Sequence, residues 1–310
     1  MLGGDGGRRP LPILTAMFYG AHVSSGGGID TAIDRARERG ANAVQVFTQS
    51  PRMWRHTDHK PETVAAFREK RERFGIESVV CHATYLINLG ATDDVIYAKS
   101  VKALRETTAT AERIGAEGVV FHVGSHLGRG FEQALHQVIP ALQVACGERD
   151  DDPTWLLLEN SAGHQGTMGV TIEELATIID ELGRPDRVGI CLDSCHLFAS
   201  GYDIRTVDGV NAVLDEVDER IGLDRLRCLH INDSKLPFDS HRDRHENVPD
   251  GEIGQDMAVF LGSPRIQHLP AILETPGPDN RGADAAQVRR LKRLHRKGVA
   301  LWQAVPTAST

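Results

Sequence analysis

VGICLD at residues 188–193 places five apolar or small residues before a single carboxylate, Asp193. An uninterrupted apolar run of this kind is typical of a strand buried on both faces, as strands of parallel sheets are. Similar runs alternate with longer segments of helical character along the chain. The eight runs are Phe18–Val23, Ala43–Thr48, Ser78–His82, Gly118–His122, Trp155–Glu159, Val188–Asp193, Arg227–Ile231 and Ala271–Glu274. This strict alternation predicts an α/β fold, a single (β/α)8 TIM barrel.

The segments between these runs carry the sequence signals of helices. Thr171 and Glu174 form a capping-box pattern before an apolar stripe that ends at Gly183. Asp93–Ile114 and the basic segment Asp284–Lys297 are also predicted to be helical. An open doubly wound sheet is the alternative fold. It usually shows a G-x-G-x-x-G phosphate-binding pattern after its first strand, which GAHVSSGGG does not match.

The chain length favours one domain. Its 310 residues suit a barrel that typically takes about 250 residues before insertions. We expect residues 1–16 to form a flexible N-terminal extension, residues 17–303 to form the barrel with its catalytic site, and residues 304–310 to form a tail.

Composition indicates the cellular setting. No apolar run approaches the roughly 18 residues of a membrane span, and the apolar stretch near the N-terminus is short for a signal peptide. The five cysteines are odd in number and lie mostly in apolar runs, which indicates buried thiols in a reducing compartment. We therefore expect a cytoplasmic protein that does not bind membranes.

The net charge of −8 argues against a protein that binds nucleic acid over its whole surface. This objection concerns the average charge and does not fix the local field. Bound divalent cations would add positive charge at the place where a phosphate must lie.

The chemistry of the chain is concentrated where the predicted strands end. At or next to the ends of the eight runs stand His22, Thr48, His82, His122, Glu159, Asp193, His230 and Glu274. A histidine or carboxylate at the end of a buried strand is costly unless it is paired or bound to metal. Because the carboxyl ends of barrel strands share one mouth, these side chains are expected to converge on a multinuclear metal site there.

Two loop patterns add candidate ligands to the same mouth. Asp193 and His196 are three residues apart as the chain leaves the sixth strand, and Asp243 and His245 follow the seventh. Each pattern is weak alone, and its value lies in its placement beside the strand ends. With these additions there are nine candidate ligands beyond His22, enough for three ions. Imidazole and carboxylate without cysteine suit Zn²⁺, Mn²⁺ or Fe²⁺.

Several long motifs resemble one known family, the endonuclease IV AP endonucleases, from Phe18 to about Trp302. The motifs include GAHVS at 20–24, FTQSPRMWR at 47–55, HATYLINLGA at 82–91, FHVGSHLG at 121–128, LENSAG at 158–163, VGICLDSCHLFASGYDIRT at 188–206, HINDSK at 230–235, DRHENVPDGEIG at 243–254 and ILETPG at 272–277. Departures from the family pattern are modest. Val123 stands where proline is common and Ser161 where threonine is common, and neither change removes a candidate ligand.

The resemblance implies three divalent metal ions, described as zinc, with manganese as the alternative at some sites. The implied ligands of the first ion are His82, His122 and Glu159. Glu159 would bridge to a second ion, completed by Asp193, His230 and Glu274. The third ion would be held by His196, Asp243 and His245.

The implied reaction is hydrolysis of the phosphodiester on the 5′ side of an abasic site, which leaves 3′-hydroxyl and 5′-deoxyribose phosphate ends. A metal-activated hydroxide would attack the phosphorus. Glu159 and Glu274 are the catalytic candidates, Glu274 as the residue that helps to orient the hydroxide. The family also suggests 3′-phosphodiesterase and 3′-phosphatase activities.

The resemblance also implies the partner, double-stranded DNA that contains abasic sites, and no obligate protein partner. Arg52, Tyr85 and Leu86 resemble loops that enter the minor groove and fill the gap at a flipped-out abasic nucleotide. Phosphate contacts are expected from Lys235, Arg242 and Arg244, although each of these could equally be a solvated charge at the rim.

Two other functions remain open at this point. A metal-dependent sugar isomerase or epimerase of the same barrel superfamily would use strand-end ligands, but it gives no reason for His196, Asp243 and His245. A non-catalytic damage-binding protein would keep the DNA-binding loops and lose ligands, and no ligand is missing.

Overall fold

A computed structural model describes residues 17–147 and 153–304 of the chain. Eight parallel strands in this part close into a barrel in the order β1-β2-β3-β4-β5-β6-β7-β10, so the predicted TIM barrel is confirmed. The barrel strands are β1 (Phe18–Val23), β2 (Ala43–Phe47), β3 (Ser78–His82), β4 (Gly118–Phe121), β5 (Trp155–Glu159), β6 (Val188–Asp193), β7 (Leu226–His230) and β10 (Pro270–Leu273). The predicted flexible extension at 1–16 and residues 305–310 of the predicted tail lie outside the described residues.

Helices connect the strands around the outside of the barrel. They are α1 (Thr31–Glu38), α2 (Pro61–Phe74), α3 (Asp94–Ile114), α4 (Phe131–Cys146), α5 (Ile172–Glu181), α6 (Ser194–Ala199), α7 (Val207–Arg220), α8 (Met257–Gly262) and α9 (Ala285–Ala304). The Thr171 side chain caps α5 by accepting a hydrogen bond from Glu174 N, whereas the Glu174 carboxylate binds the amides of Gly169 and Val170. Within the described residues, no helix combines the length and apolarity that a membrane crossing requires.

Four strands differ from the sequence prediction by one residue at one or both ends. Strand β2 ends before Thr48, β4 before His122 and β10 before Glu274, while β7 begins and ends one residue earlier than predicted. At Glu274 the reason is visible: its backbone N–H donates to Asn232 Oδ1 at 2.9 Å and so turns to a side chain.

Two successive layers of side chains inside the barrel lead up to its mouth. The lower one, called here the apolar layer, consists of Ala43, Val80, Val120, Leu157, Cys191, Cys228 and Ile272. Because strand side chains alternate, the residue two positions further along each strand also points inward, one layer closer to the mouth. Those residues, with His22 of β1, form what we call the polar layer: His22, Gln45, His82, His122, Glu159, Asp193, His230 and Glu274.

A small hairpin stands above the mouth on the β7 side. Strands β8 (Asp233–Ser234) and β9 (His245–Glu246) pair antiparallel, and the loop between them carries Asp243. The Asp233 carboxylate fixes the following loop by accepting hydrogen bonds from the amides of Gly251 and Ile253, each at 2.9 Å. The fold thereby places a second set of polar side chains beside the polar layer.

Candidate metal centre

The structure brings all nine predicted ligands together at the carboxyl ends of the strands. They form three groups, and within each group the potential ligand atoms lie within 4.8 Å of one another. The groups are His82, His122 and Glu159; Glu159, Asp193, His230 and Glu274; and His196, Asp243 and His245. Glu159 belongs to two of the groups.

In the first group two imidazoles approach one carboxylate oxygen. His82 Nε2 lies 3.1 Å and His122 Nε2 lies 3.4 Å from Oε2 of Glu159. His82 Nδ1 lies 2.7 Å from the carbonyl oxygen of Ala83, which can only accept a hydrogen bond. Nδ1 therefore carries the hydrogen, and the lone pair of Nε2 is free to bind a cation.

In the second group the other oxygen of Glu159 faces His230. Glu159 Oε1 is 2.9 Å and Glu274 Oε2 is 3.2 Å from His230 Nδ1. Asp193 completes the group, its Oδ2 4.0 Å from the same nitrogen, and Asn232 Nδ2 holds that oxygen at 2.6 Å. The two oxygens of Glu159 thus point into two adjacent groups, as a bridging carboxylate requires.

The sequence analysis missed one member of the polar layer, Gln45. It is fully buried; its Oε1 lies 2.8 Å from His230 Nε2, and its Nε2 donates to Glu274 Oε1 at 2.5 Å. Because an amide oxygen only accepts, His230 Nε2 carries the hydrogen, and the lone pair of Nδ1 faces the carboxylates. Thr48, predicted to end the second run, lies beyond β2. Counting two residues on from Ala43 would have found Gln45.

The third group joins helix α6 to the hairpin loop. Asp193 caps α6 by accepting from His196 N at 3.0 Å, which turns the His196 ring into the mouth. His196 Nδ1 donates to Asn160 O at 2.9 Å, and its Nε2 lies 3.4 Å from Asp243 Oδ2. His245 Nε2 lies 3.1 Å from Asp243 Oδ1. The side chains of the two loop patterns, His196 from the first and Asp243 and His245 from the second, thus meet at one point.

Three buried ring nitrogens in the centre test whether a metal ion fits. The Nε2 atoms of His22, His196 and His245 are buried and make no hydrogen bond with the described residues. Buried polar atoms nearly always have a partner, so such atoms need an explanation. Two of these atoms face the Asp243 carboxylate, and the donor set is nitrogen and oxygen, so a divalent transition-metal ion fits the site.

The electrostatics of the centre agree with that fit. Burial raises the pKa of Glu159, but His122 and His230 outweigh it and hold the pKa well below its usual range. Burial lowers the pKa of His245, but Asp193 and Asp243 reverse the effect and raise it to about 9. The carboxylates thus attract protons to the rings, and positive charge is favoured at this point.

Cys195 lies beside the centre without the charge state of a ligand. The Cys195 sulfur lies within 4.8 Å of the ligand atoms of Asp193 and His245. Burial, with smaller contributions from Asp193 and Asp243, raises the pKa of Cys195, so its thiol stays protonated. A protonated thiol is a poor ligand, which agrees with a purely structural role for Cys195.

The predicted DNA-binding loops that follow β2 and β3 lie together at the mouth. Tyr85 N donates to the carbonyl oxygen of Pro51 at 3.2 Å, which ties the loop of Arg52 to the loop of Tyr85 and Leu86. The Tyr85 side chain is 53% exposed, yet its ring centroid is 5.4 Å from that of His82. An exposed aromatic ring therefore stands directly over the first group.

The remaining predicted DNA-binding residues are on the hairpin. Lys235 N donates to Arg244 O at 2.9 Å, so the two residues face each other across its strands. Arg242 and Arg244 are exposed, and Lys235 Nζ lies 3.8 Å from Glu246 Oε2. All of them border the third group.

Comparisons with known proteins identify the family of this chain. A family profile described as xylose isomerase-like TIM barrel matches residues 33–295. A protein of Methanoculleus marisnigri named "Probable endonuclease 4" is 41% identical over 279 residues, which cover 90% of this chain and 99% of that protein. The chain belongs to the endonuclease IV family. A second relative with the same name, from Geotalea daltonii, is 38% identical and covers 89% of this chain and 97% of its own length.

Solved structures give the same family and show how widely its fold is shared. Endonuclease IV from Thermus thermophilus superposes with a TM-score of 0.79 and 35% identity, over 90% of this chain and 99% of that one. A D-tagatose 3-epimerase-like protein superposes with a TM-score of 0.69 at 17% identity, over 93% and 98% of the two chains. At this identity the likeness to the D-tagatose 3-epimerase-like protein shows the fold alone.

Proposed function

We propose that this protein is a metal-dependent DNA repair endonuclease whose barrel, residues 17–303, hydrolyses the phosphodiester on the 5′ side of an abasic site. The products would be 3′-hydroxyl and 5′-deoxyribose phosphate ends. The observation that carries the proposal is the convergence of three groups of potential metal ligands at one barrel mouth. Multinuclear centres are a common means of cleaving phosphodiesters.

The three groups would hold three divalent ions, Zn²⁺ by preference, with Mn²⁺ as the alternative at some sites. The first ion would be held by His82, His122 and Glu159. Glu159 would also bind a second ion, whose other ligands would be Asp193, His230 and Glu274. His196, Asp243 and His245 would hold the third. When bound, the ions would lower the pKa of a water molecule and offset the charge of the phosphate.

The surrounding residues would keep these ligands in place. Ala83 O and Asn160 O each accept from the Nδ1 of a ligand histidine, which leaves the Nε2 lone pair facing the centre. Gln45 accepts a hydrogen bond from Nε2 of His230, and this leaves the Nδ1 lone pair of His230 facing the carboxylates. Glu274, held by Gln45, would orient the attacking water. No nucleophilic side chain is required.

The DNA substrate would be recognised by the loops around the mouth. Arg52, Tyr85 and Leu86 would enter the minor groove, where an exposed aromatic ring and an apolar side chain can replace lost base stacking. Lys235 and Arg244 would contact phosphates. The same open centre would also accept 3′-terminal phosphate groups, which gives the 3′-phosphodiesterase and 3′-phosphatase activities.

The experiment that tests the proposal is cleavage of a duplex oligonucleotide with one abasic-site analogue. The metal-loaded protein should incise it once, 5′ to the lesion, and prolonged chelation followed by gel filtration should abolish incision. Adding Zn²⁺ or Mn²⁺ back should restore it.

The controls separate the proposal from its rivals. Folded, metal-loaded protein that binds the lesion without cutting it would support a non-catalytic damage binder. If the same preparation leaves the duplex intact and interconverts free ketoses, the sugar epimerase function would replace the proposed one.

A further inference from the structure

Helix α9 carries a concentration of positive charge that the metal centre does not use. The segment Ala285–Ala304 contains six lysines and arginines and no carboxylate, in a chain whose net charge is −8. Arg289, Arg293 and Arg296 are exposed and follow each other at intervals of four and three residues, so they share one helix face. Lys297 is exposed beside them.

These charges are not neutralised by neighbours. Arg290 pairs with Asp250, with 2.8 Å between Nη1 and Oδ2, whereas Arg289, Arg293 and Arg296 form no ion pair with any carboxylate of the described residues. Arg265 differs from them, because it pairs with both Asp215 and Asp218. The basic face of α9 is therefore an unbalanced positive surface.

The helix holds this face in a fixed orientation. Its opposite face is buried against the barrel through Val288, Leu291 and Leu294. Gly298 packs so closely on α8 that a Cβ there would meet the carbonyl oxygen of Ala258. A rigid helix presents its charges at about 4.5–6 Å intervals along the axis, with little entropy to lose on binding.

The basic face adjoins the loop of Pro249 and Asp250, which leads away from the barrel mouth. A groove of about 330 Å³ is lined by Pro249, Asp250, Gln255, Arg290, Arg293 and Lys297, among others. Its Pro249–Asp250 rim begins four residues after His245, a member of the third group, and the same loop reaches the β10 side through Asn247, whose Oδ1 accepts from Gly277 N at 2.8 Å. A polyanion bound across the mouth can therefore continue onto α9.

We propose that the basic face of α9, formed by Arg289, Arg293, Arg296 and Lys297, is a second contact surface for the phosphate backbone of duplex DNA, beside the lesion held at the mouth. This inference rests on the proposed function. A row of cations fits a linear array of phosphates, and none of the residues lining the groove is aromatic, so contacts to the backbone are favoured over base stacking. The surface would add affinity without adding sequence specificity.

The test compares two variants that lose the same number of charges. One carries Arg289→Gln, Arg293→Gln and Arg296→Gln. Its matched control carries Lys99→Gln, Lys102→Gln and Arg105→Gln, three exposed cations of α3 on the far side of the barrel. Cleavage is measured on lesion duplexes that extend about five or about twenty base pairs either side of the lesion, half a turn against two turns.

On the long duplex the α9 variant should have a KM raised about tenfold with kcat unchanged. On the short duplex it should match the wild-type protein. The slope of log KM against log salt should become shallower by about 0.9 for each phosphate that the variant no longer binds, up to roughly three phosphates. If the α9 variant and the α3 control have equal KM values and equal salt slopes on the long duplex, the proposal is wrong.

Binding of an undamaged long duplex, followed by fluorescence anisotropy, separates this proposal from the proposed function. A wild-type protein that cuts no lesion but binds this duplex with a salt slope that the α9 variant loses would refute the endonuclease and retain the surface. The single change Arg293→Gln, with thermal melting of every variant, guards against misfolding. If the rise in KM across the variants correlates with a lower melting temperature and not with the number of charges removed, the proposal is also wrong.

Discussion

The apolar layer and the polar layer lie on the same strands, two residues apart, and differ completely in chemistry. Leu157 and Glu159 of β5 are both buried, yet Leu157 packs in the apolar layer and Glu159 lies against four imidazoles. The lower layer seals the barrel, and the upper layer collects groups that are stable together only if positive charge lies among them. On these strands, therefore, a shift of two residues separates the side chains that stabilise the fold from the side chains that form the candidate metal centre.

The largest expected effect comes from removing the residue that joins two of the groups. Glu159→Ala should lower cleavage of the abasic duplex by more than the roughly 10–100-fold expected for residues around a centre. It should also reduce the number of bound metal ions, measured by mass spectrometry of metals. Glu174→Ala, which removes a carboxylate outside the centre, is the control and should retain activity and metal. Full metal content in Glu159→Ala would contradict the bridging role.

A substitution in the apolar layer should lower the stability of the protein and leave its activity nearly unchanged. Leu157→Ala leaves a cavity below the centre and should lower the free energy of unfolding by about 2–5 kcal/mol, measured by urea denaturation of the metal-loaded protein. Its cleavage rate per folded molecule should stay close to wild type because no ligand changes. A large loss of kcat without loss of stability would show that the two layers do not act separately.

Replacing Gln45 of the polar layer by an apolar residue should lower activity less than Glu159→Ala and more than Leu157→Ala. Gln45→Leu leaves His230 Nε2 without its acceptor and removes one of the two partners of Glu274 Oε1, the other being His22 Nδ1 at 3.0 Å, so both ligands are held less firmly. We expect about a 10–100-fold loss in kcat together with faster release of metal to a chelator. Gln45→Glu, which restores an acceptor for His230, should recover part of the metal retention.

A matched change tests whether Gln45 acts through the centre. Gln267 is also a buried glutamine, and it donates to Leu261 O and Ser263 O far from the metal ligands. Gln267→Leu should lower stability without accelerating metal release. If Gln45→Leu and Gln267→Leu release metal at equal rates, Gln45 has only a structural role.

The smallest expected effect is a pH dependence of the metal-free protein. The pKa of His245 is raised to about 9 in the folded state, against about 6.5 when unfolded. Its protonated form therefore stabilises the metal-free protein fully below pH 6.5, and this contribution, roughly 1–3 kcal/mol, is lost as pH rises through 9. Urea unfolding of chelated protein at several pH values measures it, and His245→Gln should flatten the profile.

Metal loading should reverse the direction of that dependence. Ligand histidines must be neutral to bind an ion, so stabilisation by metal should increase with pH until the rings are deprotonated. Parallel profiles for loaded and metal-free protein would mean that His245 binds no ion.

The sequence by itself determined the alternation of strands and helices and the residue types at the strand ends. These are local properties, because an apolar run and a capping pattern act within a few residues of chain. The strand ends and two loop patterns indicated nine candidate ligands, the family motifs divided them among three ions, and the structure places all nine at one mouth. His82, His122 and Glu159 needed only the rule that parallel strands end on the same side.

Only the tertiary structure decided which face of each strand turns inward and which atoms meet. Gln45 escaped sequence reasoning because it lies inside its strand, and Thr48 was chosen because the end of β2 was placed one residue too far. Closure of the barrel settles both, since it aligns Gln45 with His230 although 185 positions separate them. It also sets Arg290 of α9 beside Asp250, in the loop that follows His245, a proximity that arises from packing between distant segments and leaves no local trace in the chain.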